Sequence, residues 1–350
     1  MDQDRSAVES LTKRRLELAQ IAAVVRRAFG DARITHIDEF PEGMFNAVYR
    51  IGLEPGDRTV VMKSSPPAGV SLLTYEHHIM RTEAAFYELA SSVKVPVPEV
   101  LASDFTRTHL DGDVLFLSFL DGDGWHRLHD ELDDDDERRL RRDLGRIMRH
   151  LHSVQGTEFG YFQPGTARAA TWRGAFTRMV DDVLADAVRF DIALPVENEE
   201  IRMAIARHEA LLDDVTVPSL AHFDAWEGNI LLANHDGRHT ISGLIDGERA
   251  MWADPAMDFV SVAIFGDISD DADFLEGYGE DSDPDGTPLT ITPRTSTRLA
   301  MYKAYLDLIL LVEAAPRGYA TAEHAHVLQL AVADLHRSLD RLAKAPSNSS

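Results

Sequence analysis

Between His222 and Asp258 the chain carries acids and an amide at spacings that suit the chemistry of a hydroxyl group. Asp224 and Asn229 lie five positions apart, Asp246 follows an apolar hairpin, and Asp254 and Asp258 come after it. A carboxylate such as Asp224 can orient and deprotonate a hydroxyl. An amide and a second carboxylate, Asn229 and Asp246, offer the hard oxygen atoms that Mg²⁺ takes as ligands. A base and two metal ligands are most of what phosphoryl transfer asks of a protein. Any one of these residues beside a turn is more simply a cap or an Asx-turn. The ordered set carries the chemical reading.

The hairpin makes the spacing physical. Residues 230–232 read as a short buried strand, 235–238 as a turn around Asp236-Gly237, and 240–245 as the returning strand, because Asp-Gly between apolar runs is a strong hairpin signal. Asn229 and Asp246 then stand at the two open ends of one ribbon. Asp224 lies in the loop before it.

The elements that must position these groups fill the rest of the chain. With 350 residues, 44% hydrophobic and 27% charged, the sequence can bury a large core and suits two lobes. It has no cysteine, which excludes disulfides and thiolate metal sites. A formal charge of -24 argues against nucleic acid and anionic membrane surfaces as partners. The N-terminus lacks an apolar signal core, and the most apolar stretch, 299–315, is interrupted by Lys303, Asp307 and Glu313. The expectation is a cytoplasmic protein, monomeric or a homodimer.

In order, residues 6–29 read as an amphipathic helix stopped by Gly30, and 34–40, 47–53 and 58–64 as strands of a small antiparallel sheet. Only five of the 35 basic residues are lysines, and Lys63 ends the third of these strands. A lysine on an inner strand needs an anionic partner. Residues 113–120 read as a buried strand ending in Asp121-Gly122-Asp123-Gly124. The acids 133–136 ahead of a run of arginines suit the first turn of a helix better than a metal site. Thr171 opens a helix with Trp172, Phe176, Met179, Val180, Val183, Leu184 and Val188 on its apolar face and Asp181, Asp182 and Asp186 off it. Further helices are expected over 297–315, ended by Pro316, and over 322–342. The stretch 281–286 imitates a calcium loop but has Thr292 where a bidentate Glu belongs. The pairs His150/His152 and His235/His239 lack a third ligand for zinc.

The stretch around His222, Asp224, Asn229, Asp246, Asp254 and Asp258 resembles the aminoglycoside phosphotransferase and choline kinase-like family, relatives of the protein kinases. That family usually shows His-Gly-Asp, four residues and Asn, then Ile-Asp-aromatic-Glu, then Gly-Asp-Pro and a further Asp. Here Phe223, Gly247 and Ala253 replace the Gly, the aromatic and the second Gly. The resemblance implies Asp224 as catalytic base, Asn229 and Asp246 as Mg²⁺ ligands, and Asp254 and Asp258 as acids bracing the loop. It implies that Lys63 meets the phosphates of ATP or GTP together with Glu83, with Glu76 the alternative acid. Gly43 and Asn46 sit where the nucleotide-covering loop would be. Ser118, Phe119 and Leu120 form the hinge facing the adenine edge.

The fold expected is α+β, a two-lobed protein kinase-like arrangement with a nucleotide-binding lobe over 1–119, a mainly helical catalytic and substrate lobe over 120–345, and a disordered tail over 346–350. The function implied is O-phosphotransfer from a nucleoside triphosphate to a hydroxyl of a polar, cationic small molecule, an amino sugar antibiotic first. A metabolic kinase with a sugar, amino-alcohol or macrolide acceptor is the alternative, and a non-catalytic nucleotide-binding relative the third reading.

Overall fold

The structure, a computed structural model, describes residues 12–40, 45–163, 165–166, 168–280, 289–318 and 322–346. The first element, α1 (Leu18–Phe29), is shorter than the span expected for it. Residues 6–11 lie outside the described residues, and 12–17 are not helical. The Leu16 N–H donates to the Tyr49 hydroxyl at 2.7 Å, and the Glu17 N–H to Gln20 Oε1 at 2.9 Å. The chain is therefore docked on the sheet before the helix begins, and Glu17, extended, serves as its N-cap.

Strands β1 (Arg33–Phe40), β2 (Ala47–Glu54), β3 (Arg58–Ser64), β4 (Val100–Asp104) and β5 (Val114–Ser118) form one antiparallel sheet in the order β1-β2-β3-β5-β4, with helix α2 (Ile79–Ser92) between β3 and β4 in sequence. Strand alternation decides what faces where. Val60 and Met62 join Ile21, Val24 and Val25 of α1 in one apolar cluster, while Leu115 and Leu117 join Phe86 and Tyr87 of α2 in another. Lys63 pairs across the ladder with Leu115 and so lies on the α2 side.

The remaining strands are short: β6 (Asp123–Gly124), β7 (Phe159–Tyr161), β8 (Arg168–Ala169), β9 (Ser219–Ala221), β10 (Ile230–His235), β11 (Arg238–Leu244) and β12 (Met251–Ala253). They form two small sheets, β11-β10-β6 and β8-β7-β12-β9. Around them pack α3 (Asp134–Leu151), α4 (Trp172–Arg189), α5 (Asn198–Ala206), α6 (Ala256–Val262), α7 (Ala272–Glu280), α8 (Pro293–Arg317) and α9 (Ala322–Lys344). An antiparallel sheet in the N-terminal region and helices in the C-terminal region make the α+β, kinase-like arrangement.

Asp133 caps α3, accepting from the N–H groups of Asp135 and Asp136, so the acidic run is a helix start. Two helices depart from expectation. In α4, Asp186 is buried and Val188 is 72% exposed, the reverse of the expected faces. The carboxylate of Asp186 accepts from the Thr74 N–H at 2.6 Å and the Thr74 hydroxyl at 2.9 Å, which satisfies it inside the protein. In α8, Pro316 does not end the helix. It sits in the last turn, Arg317 is drawn into the helix by Glu76 and Glu313, and Gly318, in the left-handed region, terminates it. The strand β6, which pairs with β10 through Leu231 and Leu232, lies in the stretch Asp121-Gly122-Asp123-Gly124 that the sequence marks only as the end of the preceding strand. The stretch 281–286, residue Gly43 and positions 347–350 of the expected tail lie outside the described residues. Among the described residues no helix is long and apolar enough to cross a membrane.

Candidate active site

The loop carrying Asp224 is built on strain and its compensation. Phe223 sits at φ 58°, the left-handed region, which costs a residue with a side chain about 1–2 kcal/mol. This is where the glycine of the usual His-Gly-Asp would be free of penalty. Here the ring is fully buried and stacks on Tyr305 at 5.7 Å, and burying such a ring returns about 1.5–3 kcal/mol. Asp258, at the start of α6, accepts from the N–H groups of His222 (2.9 Å) and Phe223 (2.5 Å). Its carboxylate is in turn held by His152 Nε2 at 2.9 Å. Asp258 thus braces the loop, and His152 has a structural task. Asp254 instead accepts from the Ala256 N–H, Arg298 and Tyr302, tying α6 to α8 without touching the loop.

Both oxygens of Asp224 are fixed. Oδ1 accepts from Arg249 at 3.2 Å and Oδ2 from Asn229 Nδ2 at 3.1 Å. The same Asn229 nitrogen donates to the Asp224 backbone carbonyl at 2.8 Å, so the amide oxygen points elsewhere. The hairpin begins immediately beyond, with Ile230 opposite Leu244. The Ile245 N–H donates to the Asn229 carbonyl at 2.9 Å, which sets Asn229 and Asp246 at the open ends of the ribbon.

Asp246 also has a left-handed backbone, at φ 64°, and its N–H donates to the Tyr87 hydroxyl at 2.9 Å. That hydroxyl donates onward to Glu83 Oε1 at 2.7 Å. Lys63 Nζ reaches Glu83 Oε1 and Asp246 Oδ1, each at 2.7 Å. Of the two acids considered for Lys63, the structure brings Glu83 to it, while Glu76 pairs with Arg317. At Gly247 a Cβ would lie 2.2 Å from the Phe86 ring. The space beside Gly247 is filled from α2 by Phe86, which meets the His222 ring edge-on at 5.0 Å.

Electrostatics follow from burial and pairing. Burial opposes the Lys63 ammonium, but Asp246 and Glu83 outweigh it and hold its pKa well above the ordinary lysine value. Burial also works against the Asp246 carboxylate, and the Lys63 charge beside it overcomes that and lowers its pKa. Asp224 is raised by burial, with Arg249 opposing and Asp246 adding to the rise.

Two residues of the site were not singled out from sequence. Glu248 lies in the turn after Asp246, accepts from Asn46 Nδ2 at 2.9 Å, and is pushed well up by burial and by Asp246. Its place two positions beyond Asp246 was the available signal. Arg249 had none, because its partners are remote in sequence. Glu83, Asp246 and Glu248 each bring a carboxylate oxygen within 4.8 Å of the others. Glu83 Oε2 and Asn46 Oδ1 are buried without a hydrogen-bond partner, so hard acceptors remain for a cation, and the donor set fits Mg²⁺. Of the hinge residues, Ser118 has its N–H tied to the Glu99 carbonyl at 2.9 Å, the Phe119 ring lies under the Arg50 guanidinium at 4.6 Å, and Leu120 packs over Gly243.

A family model described as the phosphotransferase enzyme family matches residues 36–290. The chain belongs to that family. This phosphotransferase is an enzyme of the kinase class acting on hydroxyl acceptors. Among solved structures it is similar to a Ralstonia eutropha JMP134 protein described as a candidate aminoglycoside phosphotransferase, at 15% identity and TM-score 0.65, covering 95% of this chain and 100% of that one. It is also similar to aminoglycoside phosphotransferase APH(4)-Ia in complex with AMP-PNP and hygromycin B, at 17% identity and TM-score 0.63, covering 93% and 99%. A third likeness, at 14% identity and TM-score 0.59 over 94% and 99%, is to APH(2")-IIa with streptomycin and ATP. These likenesses show the fold. No curated protein matches the chain.

On the far side of Phe223, the phosphotransferase has a small cleft between α4 and α8 lined by Tyr75, Tyr161, Asp182, Asp186 and Tyr305. Asp181 pairs with Arg202 and Asp186 with Arg189. Asp182 enters no ion pair or hydrogen bond among the described residues, and its pKa is raised by burial and by Asp186 and Asp181.

Proposed function

We propose that this phosphotransferase moves the γ-phosphate of ATP or GTP to a hydroxyl of a polar, cationic small molecule, with an amino sugar antibiotic the first candidate acceptor. The observation that carries the reading is the Lys63 ammonium held between Glu83 and Asp246 at one end of a hairpin whose start carries Asn229, bonded to the fixed carboxylate of Asp224.

In this reading Lys63 holds nucleotide phosphates, and Phe119 and Leu120 meet the adenine edge, since the Ser118 N–H is already used. Asp246 and Asn229 would hold Mg²⁺, with Glu248 beside them. When bound, the ion neutralises charge on the phosphate oxygens. Asp224 orients the acceptor hydroxyl and takes its proton as the hydroxyl oxygen bonds to phosphorus, while the bond to the bridging oxygen breaks and its electron pair leaves with the nucleoside diphosphate. Asp182 and the tyrosines beside it, in a chain of charge -24, suit an acceptor bearing an amine. The setting is the cytoplasm, where the nucleotide is supplied.

ADP or GDP formation measured with aminocyclitol, macrolide, choline-like and neutral sugar acceptors, at low and high salt, tests the reading. Turnover of an amine-bearing acceptor, with a KM that rises with salt, is expected. Exclusive turnover of a neutral or anionic acceptor without a salt effect contradicts the cationic acceptor. Turnover of none contradicts the phosphotransferase role for these compounds.

A further inference from the structure

Behind Asp224 runs a line of four buried charges of alternating sign. Arg249 places NH1 3.2 Å from Asp224 Oδ1 and NH2 2.8 Å from Glu313 Oε2. The same Glu313 oxygen is 3.0 Å from Arg317 NH2. Arg317 NH2 is 2.5 Å from Glu76 Oε1, and Arg317 Nε is 3.2 Å from it. Glu76 Oε2 is pinned by the Leu73 N–H at 2.7 Å. The side chains of Arg249, Glu313, Arg317 and Glu76 are between 0% and 6% exposed.

Burial makes the line informative. A buried ion pair seldom adds net stability over an apolar core, because desolvation offsets the attraction. Here Glu313 lies between two arginines and is neutralised by both, and each arginine is shared between two carboxylates. The Arg249 guanidinium is thus held from behind by Glu313, which fixes the reach of its other nitrogen to Asp224. The far end of the line touches the N-terminal region: Glu76 precedes α2, and the Arg317 guanidinium lies 4.9 Å from the Phe45 ring, next to Asn46.

We propose that Glu313, through Arg249, is a positioning residue for phosphoryl transfer. With Arg317 and Glu76 it forms a charge relay that aims the Asp224 carboxylate and ties that aim to the docking of the segment at Phe45. The proposal rests on Asp224 being the catalytic base. The groups facing Asp224 are Arg249, Asn229, His222, Asp246 and, at the next remove, Glu313. Tyr75, which places its hydroxyl 3.5 Å from Glu313, faces the relay from the side.

The test measures ADP formation from Mg·ATP with hygromycin B, with kanamycin and with water as acceptor, and determines the crystal structure of each variant. Glu313→Gln keeps the shape and removes the charge. The expected result is about a tenfold fall in kcat with KM for ATP within about twofold, since a small displacement of a reacting group lowers rate more than nucleotide affinity. In the crystal Arg249 should have left Asp224. Glu313→Asp recovers part of the loss, and Glu313→Gln costs nothing further in an Arg249→Met background. If Glu313→Gln lowers only the melting temperature, with kcat normal and Arg249 still on Asp224 in its crystal structure, the relay is purely structural and the proposal fails. Should that variant not fold, Glu76→Gln carries the same comparison from two links away, with about a threefold loss in kcat expected. Asp224→Asn, measured alongside, separates the two readings. Normal turnover there removes the base and the relay with it, whereas lost turnover there beside a normal Glu313→Gln removes the relay alone.

Discussion

The Lys63 ammonium lies 2.7 Å from Asp246 Oδ1, although 183 residues separate the two in sequence. The contact joins the N-terminal sheet to the hairpin of the C-terminal region, and it is buried enough for charge to matter. A lysine there without its carboxylates would lose its proton or its place.

With Lys63 holding the nucleotide phosphates as proposed, Lys63→Ala should weaken productive ATP binding by about tenfold or more, and Glu83→Ala should give a milder form of the same defect, because in that reading Glu83 acts on the phosphates only by orienting the lysine. Equilibrium binding of a non-hydrolysable ATP analogue checks both. Equal affinity in all three proteins would remove Lys63 from the nucleotide site.

The metal assignment predicts a graded series. Asp246→Ala should raise the Mg²⁺ concentration needed for half-maximal activity more than Asn229→Ala does, since an anionic ligand offsets more of the ion's charge than an amide. Glu248→Gln should fall between them if its carboxylate joins the cluster with Glu83 and Asp246. A Mg²⁺ titration of ADP formation decides it, and three unshifted curves would contradict the assignment.

Asp307 of α8 is buried with Oδ2 unpartnered, and burial, with Asp334 adding to it, pushes its pKa up from 3.8 to about 9. The folded protein therefore holds this proton between about pH 4 and pH 9 while the unfolded chain has released it. Stability from this group is full below about pH 4 and falls as pH rises through that window. Asp307→Asn should raise the melting temperature at pH 8 and narrow the difference between pH 6 and pH 8. Thermal melts of both proteins at the two pH values measure it, and an unchanged pH dependence would show that Asp307 is ionised in the fold.

What was legible in the sequence followed from local rules. The turn at Asp236-Gly237 fixes the hairpin, and the hairpin brings Asn229 and Asp246 to one end. Strand alternation turns Lys63 toward α2, where Glu83 waits one turn before Tyr87. The parts that escaped depend on distant contacts. Glu248 enters the cluster because Asp246 adopts a left-handed backbone, which no spacing announces. Arg249 finds Glu313 64 residues later. Asp186 is buried only because Thr74, 112 residues earlier, donates to it twice. Pro316 looked like a helix stop, and the carboxylates holding Arg317 carry the helix past it.

The most direct measurement is steady-state and binding analysis of Asp224→Ala. As the proposed base, its carboxylate would act on the attacking hydroxyl and not on the bound nucleotide, so kcat should fall by at least roughly a hundredfold while the Kd for ATP stays within about twofold of the parent. Turnover near that of the parent, in a folded protein with normal ATP affinity, would contradict the assignment of Asp224 as the base.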